Sequence, residues 1–453
     1  MPGGNDRNDH EDRPETALEE VLREVEEAEK RDEDPDASAR PGTPSPRTPG
    51  RRSRRTATEA GGARPSGGGP GRRAGAPRSP PVGAAPRHRW PARSGASLRA
   101  GYPSRMNDPL REPLLPPSRG PLSAAVTAHL RGTGPLPRPA DPATADPYGD
   151  DLQLALYLCY ELYYRGFAGV PPETEWDPEL LRVRAALEER FRSALRADTP
   201  VHDNLDDALA ALLVEPAEGT GVSHFLSAEG ELWQAREYAA VRSLYHLKEA
   251  DPHAWVLPRL WGRAKAAMAA VEYDEFGGGR ADRVHARLFA DLMRDLDLDT
   301  AYGRYLDAAP AEMLAVVNLM SLFGLHRELR GALVGHFAEV EITSSPGSRR
   351  LAEAMRRTGA GPAAEFFYDE HVTADAVHEQ VVRHEVIGGL LEEEPELAPD
   401  IAFGIDATEY LEDRLGRRLL ACWRAGRTCL RTPLAPREQS PQAPQEQQMS
   451  HIS

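Results

Sequence analysis

Cysteine is scarce in this chain. Cys159, Cys422 and Cys429 are the only three among 453 residues, and no two of them form a CxxC pair. That excludes a disulfide framework and a thiolate metal site, and makes a reducing compartment the expectation. No run of about 18 apolar residues occurs, so no transmembrane helix is expected. The amino terminus is acidic and polar and lacks the apolar core of a signal peptide, which points to the cytoplasm. Strand-type alternation of apolar and polar residues is also missing, so the expected class is all-α.

Roughly the first 140 residues lack the hydrophobic periodicity that would offset the entropy of ordering them. Residues 1–38 carry 15 acids against 5 bases, and residues 39–119 carry 17 arginines against 3 acids. The formal net charge of −16 therefore hides a remainder near −20. So acidic a remainder argues against nucleic acid as partner. The reading is a disordered acidic then Arg/Pro/Gly-rich leader over 1–140, a helical domain over 141–430, and a disordered tail over 431–453. Within the leader, Glu15 to Lys30 has a narrow apolar stripe and forms a marginal helix at most. Met106 would start a shorter product that loses little foldable chain, which an intact-mass measurement would reveal.

Beyond the leader, periodicity predicts helices at 150–167, 177–196, 231–250, 253–275, 281–295, 310–342, 347–359, 362–391 and 405–426. Pro258 should kink or delay its helix, and Gly277, Gly278 and Gly279 should break sharply between two others.

The segment EFFYDEHVTADAVHEQVVRHEV sets His371, Asp375 and His378 at i, i+4 and i+7, on one helical face. Two imidazoles and a carboxylate from one side make a set that binds Fe(II) with positions left open. The competing reading is a polar helix surface, since His384 and Glu385 lie nearby. Other helices add candidates. Glu275 precedes the glycine break and His285 follows it, so the chain can fold back and aim both at one point. Glu341 and Glu249 each end a mostly apolar helical pattern, and buried carboxylates need cations.

These residues resemble the haem-oxygenase-like diiron oxidases, also called iron-containing redox enzymes. The likeness covers roughly 150–426 and is strongest in LKEADPH, EYDEFGGGRADRVHARLF, EITSS and HVTADAVH. It implies a haem-oxygenase-like helical bundle with Glu249, Glu275, His285, Glu341, His371, Asp375 and His378 as metal ligands. It further implies Fe(II), two per chain, and O2 activation for N-oxygenation, desaturation or oxidative C–C cleavage of a small molecule. No flavin, NAD or Fe–S motif is present, so turnovers that consume electrons would draw on an external reductase. A small-molecule substrate, O2 and a second copy in a homodimer are the expected partners; nucleic acid and membrane are not. One departure is Tyr163, where relatives tend to have histidine.

Several residues carry simpler expectations. Glu161 should pair with Arg165 one turn on. His253 should be a cap or surface residue, because Pro252 breaks register with Glu249. Glu272 is placed to orient a ligand histidine. His326 and His336 should be ordinary core or surface histidines, and Phe366, Phe367 and Tyr368 either line a pocket or fill the core. The rival functions are a metal phosphohydrolase suggested by His202-Asp203, a haem-binding or thiaminase-like protein of the same architecture, and a non-catalytic helical module.

Overall fold

A computed structural model describes residues 112–138, 141–214 and 219–434. The expected 15–30 helix, Met106, most of the arginine-rich stretch and most of the tail lie outside the described residues. The described ones are helical or irregular, without a strand among them.

The helices are α1 (Pro121–Leu130), α2 (Asp150–Glu161), α3 (Pro178–Asp198), α4 (Leu205–Leu212), α5 (Val222–Ala228), α6 (Leu232–His246), α7 (Asp251–Ala254), α8 (Gly262–Glu275), α9 (His285–Asp295), α10 (Ala311–Leu325), α11 (Arg330–Thr358), α12 (Pro362–Gln380), α13 (Gly388–Glu393) and α14 (Ala398–Arg424). Between α12 and α13 the chain widens into a π-helical stretch, Val381–Ile387.

Their starts follow local chemistry. Asp177 accepts a hydrogen bond from the Glu179 N–H and Asn204 one from Asp207, each satisfying an otherwise orphaned donor of the first turn. α10 is apolar around its whole circumference and buries twelve of its fifteen residues, which makes it the central helix of the bundle. α11 and α14 pack against α10 and against each other, and α12 packs along α11. The crossing of α11 with α14 is unusually close. A Cβ at Gly335 would lie 1.9 Å from the Ile401 carbonyl oxygen, and one at Gly404 would lie 2.1 Å from that of Ala332. Only glycine at both positions lets the two backbones touch.

Several boundaries differ from the sequence reading. The described residues before 141 are packed onto the bundle: α1 buries Leu122, Val126 and Leu130, and the Asp151 carboxylate accepts from the backbone N–H groups of Leu122 and Ser123. The tail is likewise described to 434, with the Arg431 N–H bound to the Ala308 carbonyl. α2 stops at Glu161 rather than 167, and the chain turns through Gly166 at φ 69°. The expected 310–342 helix is two, α10 and α11, divided at His326–Leu329. Conversely, α11 runs unbroken through Thr343-Ser344-Ser345 and Pro346, so Glu341 stands mid-helix. Pro346 removes one intrahelical donor, a loss that a 29-residue helix packed along its length tolerates. α1, α4 and α5 were not foreseen. Among the described residues no helix is long and apolar enough to cross a membrane.

Candidate metal centre

α6 ends at His246, and the chain turns so that Glu249 lies three residues past the helix rather than at its end. The turn passes through Ala250, a buried non-glycine residue at φ 74°, a conformation that costs on the order of 1–3 kcal/mol and persists only where its surroundings demand it. α8 delivers Glu275 from its last position. The three glycines then reverse the chain through φ angles of 75°, 59° and 79°, and α9 opens on His285. α11 contributes Glu341, and one face of α12 contributes His371, Asp375 and His378. All seven side chains are buried.

They meet in two groups. Ligating atoms of Glu249, His285 and His371 lie within 4.8 Å of one another, and so do those of Glu275, Glu341, Asp375 and His378. Glu275 reaches both: its Oε2 is 2.7 Å from His285 Nδ1, and its Oε1 is 3.8 Å from His378 Nδ1.

The hydrogen bonds around the groups orient their lone pairs inward. His371 Nδ1 donates to the Phe367 carbonyl at 2.6 Å, which turns Nε2 toward Glu249 Oε2 at 4.0 Å. Neither of those two atoms has a hydrogen-bond partner. A first-row metal bonds imidazole and carboxylate at roughly 2.0–2.2 Å, so the gap is about one cation wide. On the far side of Glu249, His246 Nδ1 donates to Oε1 at 2.7 Å. Burial, reinforced by Arg242, holds the His246 pKa down to about 3, so its ring is neutral. His378 turns Nδ1 toward Glu341 Oε2 at 3.0 Å and Nε2 toward Asp274 Oδ2 at 3.5 Å. A proton on Nε2 given to Asp274 frees Nδ1 for the centre, the carboxylate–histidine pairing common behind metal-bound imidazoles.

The electrostatics are those of a site short of positive charge. Burial pushes the Glu249 carboxyl up to about 8 and that of Glu341 to about 7, despite the pull of His371 and His378 respectively. Burial also raises Asp375, with Glu275 adding to it. Glu275 goes the other way: burial opposes ionisation, but His285, His378 and His371 outweigh it and hold the group at about 2. His285 correspondingly rises to about 9, the Glu275 charge overcoming its burial. Asp375 Oδ2 and His285 Nδ1 also lack a hydrogen bond. Four carboxylates and three imidazoles around unsatisfied atoms suit two divalent cations in number, donor type and charge.

A cavity of about 710 Å³ reaches this centre. Its inner end is lined by Glu249, Glu275, His371 and Asp375, and its outer end by the exposed Thr220, Gly221, Arg417 and Arg424. Phe367 and Tyr368 line it too, while Phe366 is 39% exposed and lies against Arg283. None of the three cysteines lines it.

Other expectations need correction. His253 is not a surface residue but 2% exposed, its Nε2 3.1 Å from Nε2 of the equally buried His336. Glu272 orients no histidine through a hydrogen bond, since both its buried oxygens lack a partner; Asp274 takes that place. Glu161 is met by the Tyr302 hydroxyl at 2.9 Å and by Lys248 at 3.4 Å, and from Arg165 it receives the backbone N–H at 3.4 Å. His202 pairs with Asp406 at 2.6 Å rather than forming a dyad with Asp203. Tyr163 donates to the Glu175 carbonyl and packs edge-on against Trp176, apart from the seven. Asp274 and His246 were missed. The first stands beside Glu275, the second one turn before Glu249, and spacing to a candidate ligand was the only available signal.

Residues 236–413, a span that holds all seven side chains, match the family model described as iron-containing redox enzyme. No curated protein matches the chain.

Proposed function

We propose, on the premise that residues 236–413 belong to the iron-containing redox enzymes and that the protein is accordingly an iron-dependent oxidoreductase, that it is a non-haem diiron oxidase or oxygenase. The proposed substrate is a small organic molecule, oxidised with O2 by N-oxygenation, desaturation or oxidative C–C cleavage. Glu249, His285 and His371 would hold one Fe(II), Glu341, Asp375 and His378 the other, and Glu275 would serve both. Two ferrous ions so held would supply reductive binding of O2 and an oxidant next to the cavity.

The observation that carries this reading is the convergence of seven buried donors in two adjoining groups, with Glu249, His285, His371 and Asp375 each presenting an atom that has no hydrogen-bond partner. The chain's own residues divide the work. His246 and the Phe367 carbonyl fix Glu249 and His371 so that one atom of each is free for metal. Asp274 does the same for His378 from the opposite side. The packed rings of His246, Phe289 and Phe367 keep water from one flank, their centroids 4.6–5.3 Å apart. The cavity brings substrate to Glu249, Glu275, His371 and Asp375 without opening the remaining sides. A cytoplasmic enzyme with an external reductase and a homodimeric state fits this reading.

The test is anaerobic loading of the full chain with Fe(II), a metal count, and addition of O2 under stopped flow. About two irons per chain, a Mössbauer spectrum of coupled ferric ions after oxidation, and O2 uptake are expected. A chain that takes up no iron would be a helical module and not an oxidase.

A further inference from the structure

Two histidines outside the seven are buried side by side, and what lies behind them fixes where each carries its proton. The close crossing of α11 and α14 sets this up. With Gly335 and Gly404 bringing the two backbones together, His336, next to Gly335, meets Thr408, one turn after Gly404. The Thr408 hydroxyl donates to the Gly404 carbonyl at 2.7 Å, the bond to residue i−4 that threonine often makes inside a helix. A hydroxyl has one proton. Toward His336 Nδ1, 2.9 Å away, Thr408 can therefore only accept, and His336 donates from Nδ1.

Burial keeps both imidazoles neutral: it holds His336 well below the usual histidine value and pushes His253 down to about 4. A neutral ring carries a single N–H. His336 Nε2 is accordingly a lone pair, and the 3.1 Å contact between the two Nε2 atoms is a hydrogen bond that His253 donates. The proton of His253 is thereby committed to Nε2, which leaves Nδ1 as an acceptor. His253 lines the cavity, on α7 just past the turn at Ala250. Its Nδ1 has no hydrogen bond to a described residue, yet it is not closed off, so the space it meets is the cavity.

We infer that His253 Nδ1 is a hydrogen-bond acceptor of fixed polarity on the cavity wall, its proton placement set from behind by Thr408 through His336. It receives an O–H or N–H from the molecule in the cavity and rejects a group that offers only a lone pair. Two lone pairs facing each other in a buried place leave both unsatisfied, which is what makes such a contact selective. Since neither ring takes up a proton near neutral pH, His253 binds and does not act as a base. His336 and Thr408 are positioning residues that act through it. No metal takes part in this contact, so it stands apart from the oxidase reading.

The test is nitrogen NMR of the full chain with ring-labelled histidine, metal-free and loaded with diamagnetic Zn(II), with His253→Asn and His336→Asn to assign the signals. His253 should be the Nε2–H tautomer and His336 the Nδ1–H tautomer, each exceeding its alternative by about tenfold. Thr408→Val should mix the tautomers of both rings, and Thr408→Ser should restore them. Phenol, an O–H donor, should shift the His253 Nδ1 signal and bind about threefold or more tighter than anisole, its methyl ether. His253→Leu should erase that preference and keep its zinc. A proton on His253 Nδ1, an imidazolium at pH 7, a Thr408→Val spectrum like that of the wild type, no response to millimolar phenol, or an equal response to anisole would each overturn the inference. Should Thr408→Val fail to fold, the wild-type spectrum and the phenol series decide. A chain that takes up no zinc but keeps the tautomers and the phenol preference would sink the metal centre and leave this contact standing. A zinc-loaded chain without them does the reverse.

Discussion

Glu275 Oε2 lies 2.7 Å from His285 Nδ1, although the two residues belong to different helices and are separated by a three-glycine reversal. The other oxygen of Glu275 faces His378 on α12. One carboxylate therefore touches both groups of donors. Glu275→Gln should weaken both metal positions together, taking bound iron from about two to below one per chain, whereas Glu249→Gln should empty chiefly the position it shares with His285 and His371. Metal analysis of the two variants side by side checks this.

His371→Ala, Asp375→Ala and His378→Ala should each lose iron and activity while far-ultraviolet circular dichroism stays close to wild type. The bundle core is carried by apolar residues elsewhere, and a site missing one donor fails before the fold does. His326, which sits 3.1 Å from Glu188 at the end of α10, is the control: His326→Ala keeps its iron. Equal loss in both sets means the centre is misassigned.

The glycine reversal should be sensitive at one position and lenient at the next. A Cβ on Gly277 would fall 2.6 Å from the Val284 backbone nitrogen, at φ 75°, whereas one on Gly278 meets nothing closer than 3.8 Å. Gly278→Ala should cost only the left-handed backbone penalty, about 1–2 kcal/mol. Gly277→Ala adds a backbone clash and should cost clearly more, while shifting His285 away from Glu275. Urea denaturation measures the first effect and iron content the second.

Where α11 crosses α14, Gly404→Ala would force a methyl onto the Ala332 carbonyl. The helices must separate, and overpacking of this kind typically costs about 1–3 kcal/mol. A lowered denaturation midpoint is expected. An unchanged one would mean that the crossing is looser than described.

The His202–Asp406 contact carries a pH signature. The hydrogen bond and charge of Asp406 raise the His202 pKa against its slight burial. A raised histidine stabilises fully below its unfolded pKa of about 6.5, and the contribution fades as pH rises through the folded value. His202→Asn should therefore destabilise more at pH 5.5 than at pH 9, as thermal melts at the two values would register. A larger effect at pH 9 contradicts the assignment.

What could be read from the chain follows from range. The i, i+4, i+7 register of His371, Asp375 and His378 is a property of one helix, and so is the apolar circumference of α10. The Glu275, glycine and His285 order is a local reversal, legible because glycine tolerates the φ angles it needs. Helix ends were less legible. The division of α10 from α11 and the passage of α11 through Pro346 depend on packing along neighbouring helices, which no window of sequence contains.

The sequence by itself determined an all-α chain and the side chains able to hold metal, because helical periodicity and donor chemistry are written residue by residue. Only the tertiary structure decided which donors share a group, that Glu275 touches both, that Asp274 and His246 stand behind them, and that His253 meets both His336 and the cavity. Those relationships join residues far apart in the chain, and helix crossing angles and close backbone contacts set them, which leave no periodic trace along it.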